Sequence, residues 1–358
     1  MIHIEVRKDD LSQTRAVVAA PPPLAPDAVR LQIDLFSLTA NNVTYAAFGS
    51  GPLGYWDFFP TEAPWGRPPC WGFATVQASN AEGVEPGARV WGYFPIATHL
   101  DVTPTKIFER GFTDDAPHRR RKASVYNQYL STALDPAYEA GRDAEQTLFR
   151  PLYATGWWAA DCIRRTDPAP ASVVVSSASS KTALSTVHQL KRAGGEVLII
   201  GLTSKANADY VRGTGLYDRV VPYDEVAALT APAPAVFVDY LGADHVRAAA
   251  HAALGSGLVR SLTIGKTDWD AAPAAARPAD AAGVAPEFFF VPDYAAGRVA
   301  ADGPGLMTAM QQDMRAFYSA STALVTPTTL KGAAAIEAGW RRLLDGAVPP
   351  QEGLVCAW

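Results

Sequence analysis

The sequence predicts an α/β protein in which a compact β domain is followed by a doubly wound parallel sheet. Three observations carry that expectation. The first third of the chain is a run of short β-branched and aromatic segments cut by Gly, Pro and Asn. From Val173 onward, apolar strands alternate with helices at the spacing of βαβ units. The 358 residues, 48% hydrophobic and 19% charged, suffice for two buried cores.

The elements follow in order. MIHIEVRKDD alternates apolar and polar residues and then turns charged, so it reads as a first strand and not a signal peptide. Up to about Leu130 the strands are HIEVR, AVVAA, VRLQIDLFSLT, WGFATVQAS, ARVWGYFPI and HLDVTP. The second half opens with VVV, a small-residue loop SSASSK and a helix over residues 182–192, which Gly194-Gly195 stops. A strand at 197–201 completes the unit. The pattern returns through 210–213, 220–221, a short helix near Glu225, and a strand at 236–239. A helix over 245–254 and a strand over 258–265 follow. Residues 270–284 are Ala/Pro-rich and read as a surface loop or short helix. PEFFFVPDYA reads as a strand ending in proline, 307–319 and 330–344 as helices, and 353–358 as a terminal strand. The expected division is residues 1–145, completed by 320–358, for the β domain and 146–319 for the sheet domain.

Composition excludes several classes. Lys plus Arg total 31 against 36 Asp plus Glu, a net charge of -5, which argues against a dedicated nucleic-acid binder. Cys70, Cys162 and Cys356 stand singly with no CxxC, and none of the six histidines falls in HExxH spacing. Neither a disulfide framework nor a zinc site is expected. The longest fully apolar run, VLIIGL, is far short of the roughly 20 residues of a membrane helix. A soluble, cytoplasmic protein is expected, with a small-molecule substrate, no nucleic-acid or membrane partner, and a homodimer left open.

The turn after the first strand of a nucleotide-binding βαβ unit brings backbone N–H groups and a helix N-terminus to a pyrophosphate. Here it is Ser176-Ser177-Ala178-Ser179-Ser180-Lys181-Thr182, without the usual glycines. Small residues still permit close approach. Ser177, Ser179, Ser180 and Thr182 offer hydroxyls and Lys181 a charge; a serine-rich helix cap with no ligand is the plainer alternative. A Walker loop is rejected, since only the KT is present. The second strand ends in Thr203-Ser204-Lys205-Ala206-Asn207, with no carboxylate until Asp209. Hydroxyls with a lysine suit a 2′-phosphate, so NADPH is expected over NADH. Lys205 as an ordinary solvated lysine is the alternative.

These segments resemble a known family. PLYATGWWAADCI, VVVSSASSKTAL, VLIIGLTSKAN, TGLYDRVVPYDEV and VFVDYLG, after a β domain, resemble the medium-chain dehydrogenase/reductase superfamily, its zinc-independent quinone-oxidoreductase-like branch especially. NNVTYAAFG, GYWDFFP, SSASSKTA and GLTSKAN resemble, more narrowly, a bacterial and fungal domain-of-unknown-function branch. The resemblance implies a GroES-like domain and a Rossmann domain with the active site in the cleft between them. Trp71-Gly72-Phe73 stands where the zinc enzymes carry Gly-His-Glu, and the four-cysteine lobe is missing. It also implies Tyr223 near the adenosine phosphate, Lys205 as the phosphate lysine and Thr155 near the nicotinamide. Gly242 and Ile264-Gly265 would be backbone lining the cofactor.

Reduction of a conjugated double bond without zinc needs a hydride donor, a group to polarise the carbonyl, and a proton source. Tyr45 is the expected proton or hydrogen-bond donor and the Asn42 amide the expected holder of the oxygen. An ordinary Asn-Asn turn with a packed tyrosine is the competing reading. Tyr55, Trp56 and Phe59 are the expected substrate-pocket aromatics, or else plain core. His118-Arg119-Arg120-Arg121-Lys122 reads as a solvated basic helix face, or as a clamp for a carboxylate or CoA phosphate. The leading expectation is an NADPH-dependent, zinc-independent oxidoreductase acting on an activated carbonyl, enone or quinone-like substrate. An enoyl-thioester reductase and a non-catalytic nucleotide sensor are the alternatives.

Overall fold

Antiparallel strands dominate the first of two units in the computed structural model, which describes residues 1–50, 54–264 and 283–358. This unit comprises Met1–Arg150 with Gln311–Trp358. Its first elements are β1 (Ile2–Arg7), β2 (Thr14–Val18), β3 (Val29–Leu38), α1 (Ala40–Ala47), β4 (Trp65–Gly66) and β5 (Pro69–Ser79). Then come β6 (Arg89–Pro95), β7 (His99–Val102), β8 (Pro104–Phe108), β9 (Gly111–Asp114), β10 (Gln128–Ser131) and the start of α2 (Asp143–Arg164). The second unit, Pro151–Met310, carries the rest of α2 and then β11 (Ser172–Val175), α3 (Lys181–Ala193), β12 (Leu198–Thr203) and α4 (Ala208–Gly213). It continues through β13 (Arg219–Pro222), β14 (Ala235–Asp239), α5 (Asp244–Leu254), β15 (Leu258–Thr263), β16 (Glu287–Phe288) and α6 (Val291–Asp302). Helix α7 (Gly305–Ser321) leads back to the first unit, where β17 (Thr326–Lys331), α8 (Gly332–Leu344) and β18 (Glu352–Ala357) close the chain.

In the first unit a three-stranded sheet, β2-β1-β4, accompanies a nine-stranded one ordered β17-β18-β3-β5-β6-β10-β9-β8, with β7 also on β3. The β5/β6 register pairs Trp71 with Tyr93 and Phe73 with Trp91. Because strand side chains alternate with period two, these four rings share one face. They form the core with Tyr45, Tyr55, Phe58 and Phe59. Gly72 faces the other way, where a Cβ would run into the Leu35 carbonyl and Phe36 of β3. Only glycine lets β5 approach that closely.

The second unit is a parallel sheet ordered β13-β12-β11-β14-β15-β16. Numbered within the unit this is 3-2-1-4-5-6, the Rossmann order, which reverses direction between β11 and β14. Covered on both faces, β11 reads Ser-Val-Val-Val and every residue is buried. Gly194, at φ 74°, ends α3 in a backbone conformation that side chains disfavour.

Four local expectations need correction. Asn41-Asn42-Val43-Thr44-Tyr45 lies in α1, and is not a turn, because Thr39 and Asn42 form a capping box. The stretch around Phe288 is a two-residue strand, and its proline, Pro292, starts α6, where its missing N–H costs nothing. Leu330 and Lys331 end strand β17, paired in parallel with β18, and the helix begins only at Gly332. The basic segment is not a solvated helix face. Arg119 is 1% exposed, and its guanidinium donates to Asn127 Oδ1 at 3.1 Å, Asp114 Oδ2 at 2.9 Å, Tyr129 Oη at 2.9 Å and the Tyr126 carbonyl. Lys122 pairs with Asp57 at 2.9 Å and Arg120 with Asp115 at 3.1 Å. The segment is a turn in which Arg119 and Lys122 are engaged within the β unit while His118, Arg120 and Arg121 are exposed.

Candidate functional site

The site begins where the Rossmann sheet reverses. At the end of β11, Ser176 Oγ donates to the Asp239 carboxylate of β14 at 2.7 Å and accepts from the Tyr240 and Leu241 amides. Asp239 in turn accepts from the amides of Leu241 and Gly242, both at 3.0 Å. Five polar groups thus fix the β14 loop, and Gly242 takes φ 75° within it. Ile264 N–H closes the β15 end on the Asp239 carbonyl. Gly265 lies outside the described residues.

Ser177 follows with φ 49°, a strained position for a side-chain-bearing residue. Its N–H donates to Tyr223 Oη at 3.2 Å, and the Ala178 N–H donates to the Leu202 carbonyl at 3.0 Å. Two amides of the loop are therefore engaged inside the fold. Ser180 is the N-cap of α3, its Oγ accepting from Ala183 N–H, and Lys181 and Thr182 form the first helical turn. Ser179 Oγ accepts from the Asn207 amide at 3.3 Å, tying this loop to the end of β12. Ser204 caps the turn that holds Lys205 and Asn207. Thr203 is buried, and its Oγ1 has no hydrogen-bond partner among the described residues.

Parallel pairing of Thr203 with Pro222 puts Tyr223 and the residue after it level with Ser204. That next residue is Asp224, whose carboxylate meets Lys205 Nζ at 2.6 Å. The ammonium holds the Asp224 carboxyl below its usual range, and the carboxylate raises Lys205. Thus Ser177, Ser179, Ser204, Lys205, Asn207 and Tyr223 are linked at one end of the sheet, with Gly242 beside β11. Thr155 is on α2, its hydroxyl bonded back to the Pro151 carbonyl at 3.1 Å.

In the first unit the Tyr45 and Tyr55 ring centroids lie 4.5 Å apart, tilted by 44°, in one aromatic cluster with Phe58, Phe59, Trp71, Tyr93 and Tyr126. Trp71 Nε1–H donates to Tyr45 Oη at 3.2 Å. The Asn41 side chain also approaches this hydroxyl. Tyr93 Oη is fully buried and also approaches this hydroxyl. Burial pushes the Tyr45, Tyr93 and Tyr126 phenols well above their ordinary value, so all three stay protonated. Asn42 is not at this cluster's disposal: its Oδ1 accepts from Thr39 N–H at 2.6 Å and its Nδ2 donates to the Pro69 carbonyl at 2.9 Å. Trp56 turns elsewhere too, with its indole filling the space at Gly49 and Gly66. Sequence proximity does not disclose Asp224, Tyr93 or Tyr126: strand register brings in Tyr93 and Asp224, and Tyr126 comes from the turn before β10.

Among the described residues, no group of three or more His, Cys, Asp or Glu side chains is placed to hold a metal. The sheet-reversal site fits a dinucleotide in part. Thr203 Oγ1 is an orphaned polar atom of the kind that marks a missing partner, and Ser180 to Thr182 form a helix start suited to phosphate. The engaged Ser177 and Ala178 amides, however, narrow the phosphate contacts relative to a glycine loop.

Known proteins agree on the architecture. CurA from Vibrio vulnificus, solved in complex with NADPH, superposes with a TM-score of 0.66 at 13% identity, covering 100% of this chain and 99% of that one. Mycobacterial Rv1454c, complexed with NADPH, gives 0.60 at 14% over 100% of both chains. The yhdH oxidoreductase from Salmonella enterica, in complex with NADP, gives 0.57 at 15%, again over 100% of both. At such identities the likeness establishes the fold, a GroES-like domain plus a Rossmann domain as in medium-chain dehydrogenase/reductases. No curated protein matches the sequence significantly. A family model spans residues 36–349, and on that match the chain belongs to the family described as Protein of unknown function (DUF2855).

Proposed function

We propose that the protein is an NADPH-dependent oxidoreductase that reduces an activated carbonyl, enone or quinone-like substrate without zinc. One observation carries the reading: the end of β12 presents a buried, unpartnered Thr203 hydroxyl, the Ser204 cap and Lys205, on a fold whose solved examples include NADPH complexes. NADPH would supply the hydride. Ser179, Ser180, Lys181 and Thr182 would bind the pyrophosphate, Thr203, Ser204 and Lys205 the ribose phosphate, and the Gly242 loop the far half. Tyr45 would donate a hydrogen bond to the substrate oxygen, and Tyr55 and Phe59 would wall it. An enoyl-thioester reductase remains the second enzymatic reading. Engagement of Arg119 and Lys122 within the fold leaves only the exposed His118, Arg120 and Arg121 for the basic clamp that would favour it.

Titration of intrinsic tryptophan fluorescence tests the reading directly. NADPH should bind more tightly than NADH, and Lys205→Ala should shrink the difference. Equal affinities in the unmodified protein would sink the 2′-phosphate assignment. Turnover with a panel of enones, quinones and enoyl thioesters should survive exhaustive chelation; stoichiometric zinc whose removal abolishes turnover would overturn the metal-free mechanism.

A further inference from the structure

We propose that Asp224 is the residue that sets how strongly this protein prefers a 2′-phosphorylated nucleotide, by competing with the phosphate for Lys205. The inference rests on the dinucleotide reading above and adds to it a discriminating group from a neighbouring strand. In sequence, the end of β12 has no carboxylate before Asp209, and Asp209 pairs with Arg212 at 2.7 Å, one turn further along. The fold nevertheless delivers one. The parallel β12/β13 register sets Pro222 opposite Thr203, and Tyr223 is tied to the Ser177 amide of the phosphate loop. Asp224 is thereby carried to the Lys205 ammonium at 2.6 Å.

The charges then decide the chemistry. An ammonium alone would attract the near-dianionic 2′-phosphate. Paired with a carboxylate it is close to neutral, and Glu225 adds a further negative charge acting on Lys205. An incoming 2′-phosphate must draw Lys205 away from Asp224 and tolerate that carboxylate nearby. A ribose with a free 2′-hydroxyl meets the opposite situation, because a carboxylate is a good acceptor for it. Asp224 therefore weakens NADPH selectively and offers NADH a hydrogen-bond partner, so the native preference is smaller than Lys205 alone would give.

The test uses the full-length protein with two fragment probes, 2′,5′-ADP and 5′-ADP, measured calorimetrically, and the dinucleotides NADPH and NADH in parallel. Asp224→Asn should tighten 2′,5′-ADP about five- to tenfold, the effect of one charge at ion-pair range near water. It should leave 5′-ADP unchanged or weaker. Asp224→Ser should shift the ratio in the same direction. Within a Lys205→Gln background the gain should shrink, since part of it comes from freeing Lys205. An unmoved ratio in Asp224→Asn and Asp224→Ser, with both probes still binding, would overturn the role of Asp224 alone. If neither the probes nor the dinucleotides bind the unmodified protein, the dinucleotide reading falls and takes this proposal with it.

Discussion

At Tyr45 the question is where the phenol sends its proton. Its oxygen already accepts from Trp71 Nε1–H, so its own O–H must go to another acceptor. Burial keeps that phenol protonated far into the alkaline range, which makes it a hydrogen-bond donor and not a base. Asn41 and Tyr93 already lie at this hydroxyl, so a substrate oxygen gaining charge would have to outcompete them for it. Tyr45→Phe removes this donor and keeps the ring against Tyr55 and Tyr93. The expected outcome is a loss of about 10²–10³ in kcat, the usual cost of one such donor, with nucleotide affinity unchanged. Undiminished turnover would transfer the role to water or to a neighbouring phenol such as Tyr93. Parallel binding and kinetic measurements on the same preparation separate these outcomes. No comparable role is left for Asn42, whose amide is committed to Thr39 and Pro69.

Helix α2 shows how packing overrides propensity at the scale of one element. Gly156 sits inside this helix, where glycine ordinarily costs about 1 kcal/mol relative to alanine. Replacement by alanine would normally be a gain. Here a Cβ would come within 2.7 Å of the Thr186 amide nitrogen and 2.8 Å of Ser185 Cβ, both on α3. Backbone of a packed helix cannot swing aside as a flexible side chain can, so α2 would have to lift off α3. Gly156→Ala should therefore destabilise the protein, by roughly 1–2 kcal/mol after the propensity gain is subtracted. Denaturant midpoints measure it, and an increase in stability would show that the two helices yield. Elements of this kind differ in how far the sequence discloses them. Strand β11, helix α3 and the Gly194 stop are readable because hydrophobic period and glycine chemistry point the same way. Helix α1 is less so, since two asparagines suggest a turn until Thr39 and Asn42 are seen to cap each other. Strand β17, TPTTLK, lacks an apolar face and is fixed by pairing with β18, a long-range contact. The carboxylate beside Lys205 belongs with β17: the loop serines were legible, but Asp224 arrives through strand register.

Across the whole molecule, both units bury phenols. Tyr45, Tyr93, Tyr126, Tyr129 and Tyr318 lie in the β unit, and Tyr217 and Tyr240 in the Rossmann unit. All are raised above the ordinary tyrosine value of 10.0, chiefly by desolvation, with Tyr129 pushed up to about 12 where Arg119 offsets part of the burial. Linkage fixes the sign of the consequence. Below pH 10 the folded and unfolded chains hold the same phenolic protons, and stability does not depend on these groups. Above it the unfolded chain releases protons that the folded chain retains, so each further rise in pH favours unfolding. The limiting slope is about 1.4 kcal/mol per pH unit for each such tyrosine. Seven acting together would exhaust a typical stability of roughly 5–15 kcal/mol within about one to two pH units. The protein should therefore hold a level urea midpoint from neutrality to about pH 9.5 as far as these phenols are concerned, then unfold steeply between about pH 10 and 12. Tyrosinate absorbance should rise in the same step as the loss of circular dichroism, because the phenols ionise only when exposed. Ionisation of most tyrosines ahead of any structural change would contradict this, by showing that water reaches the aromatic cluster while the fold is intact.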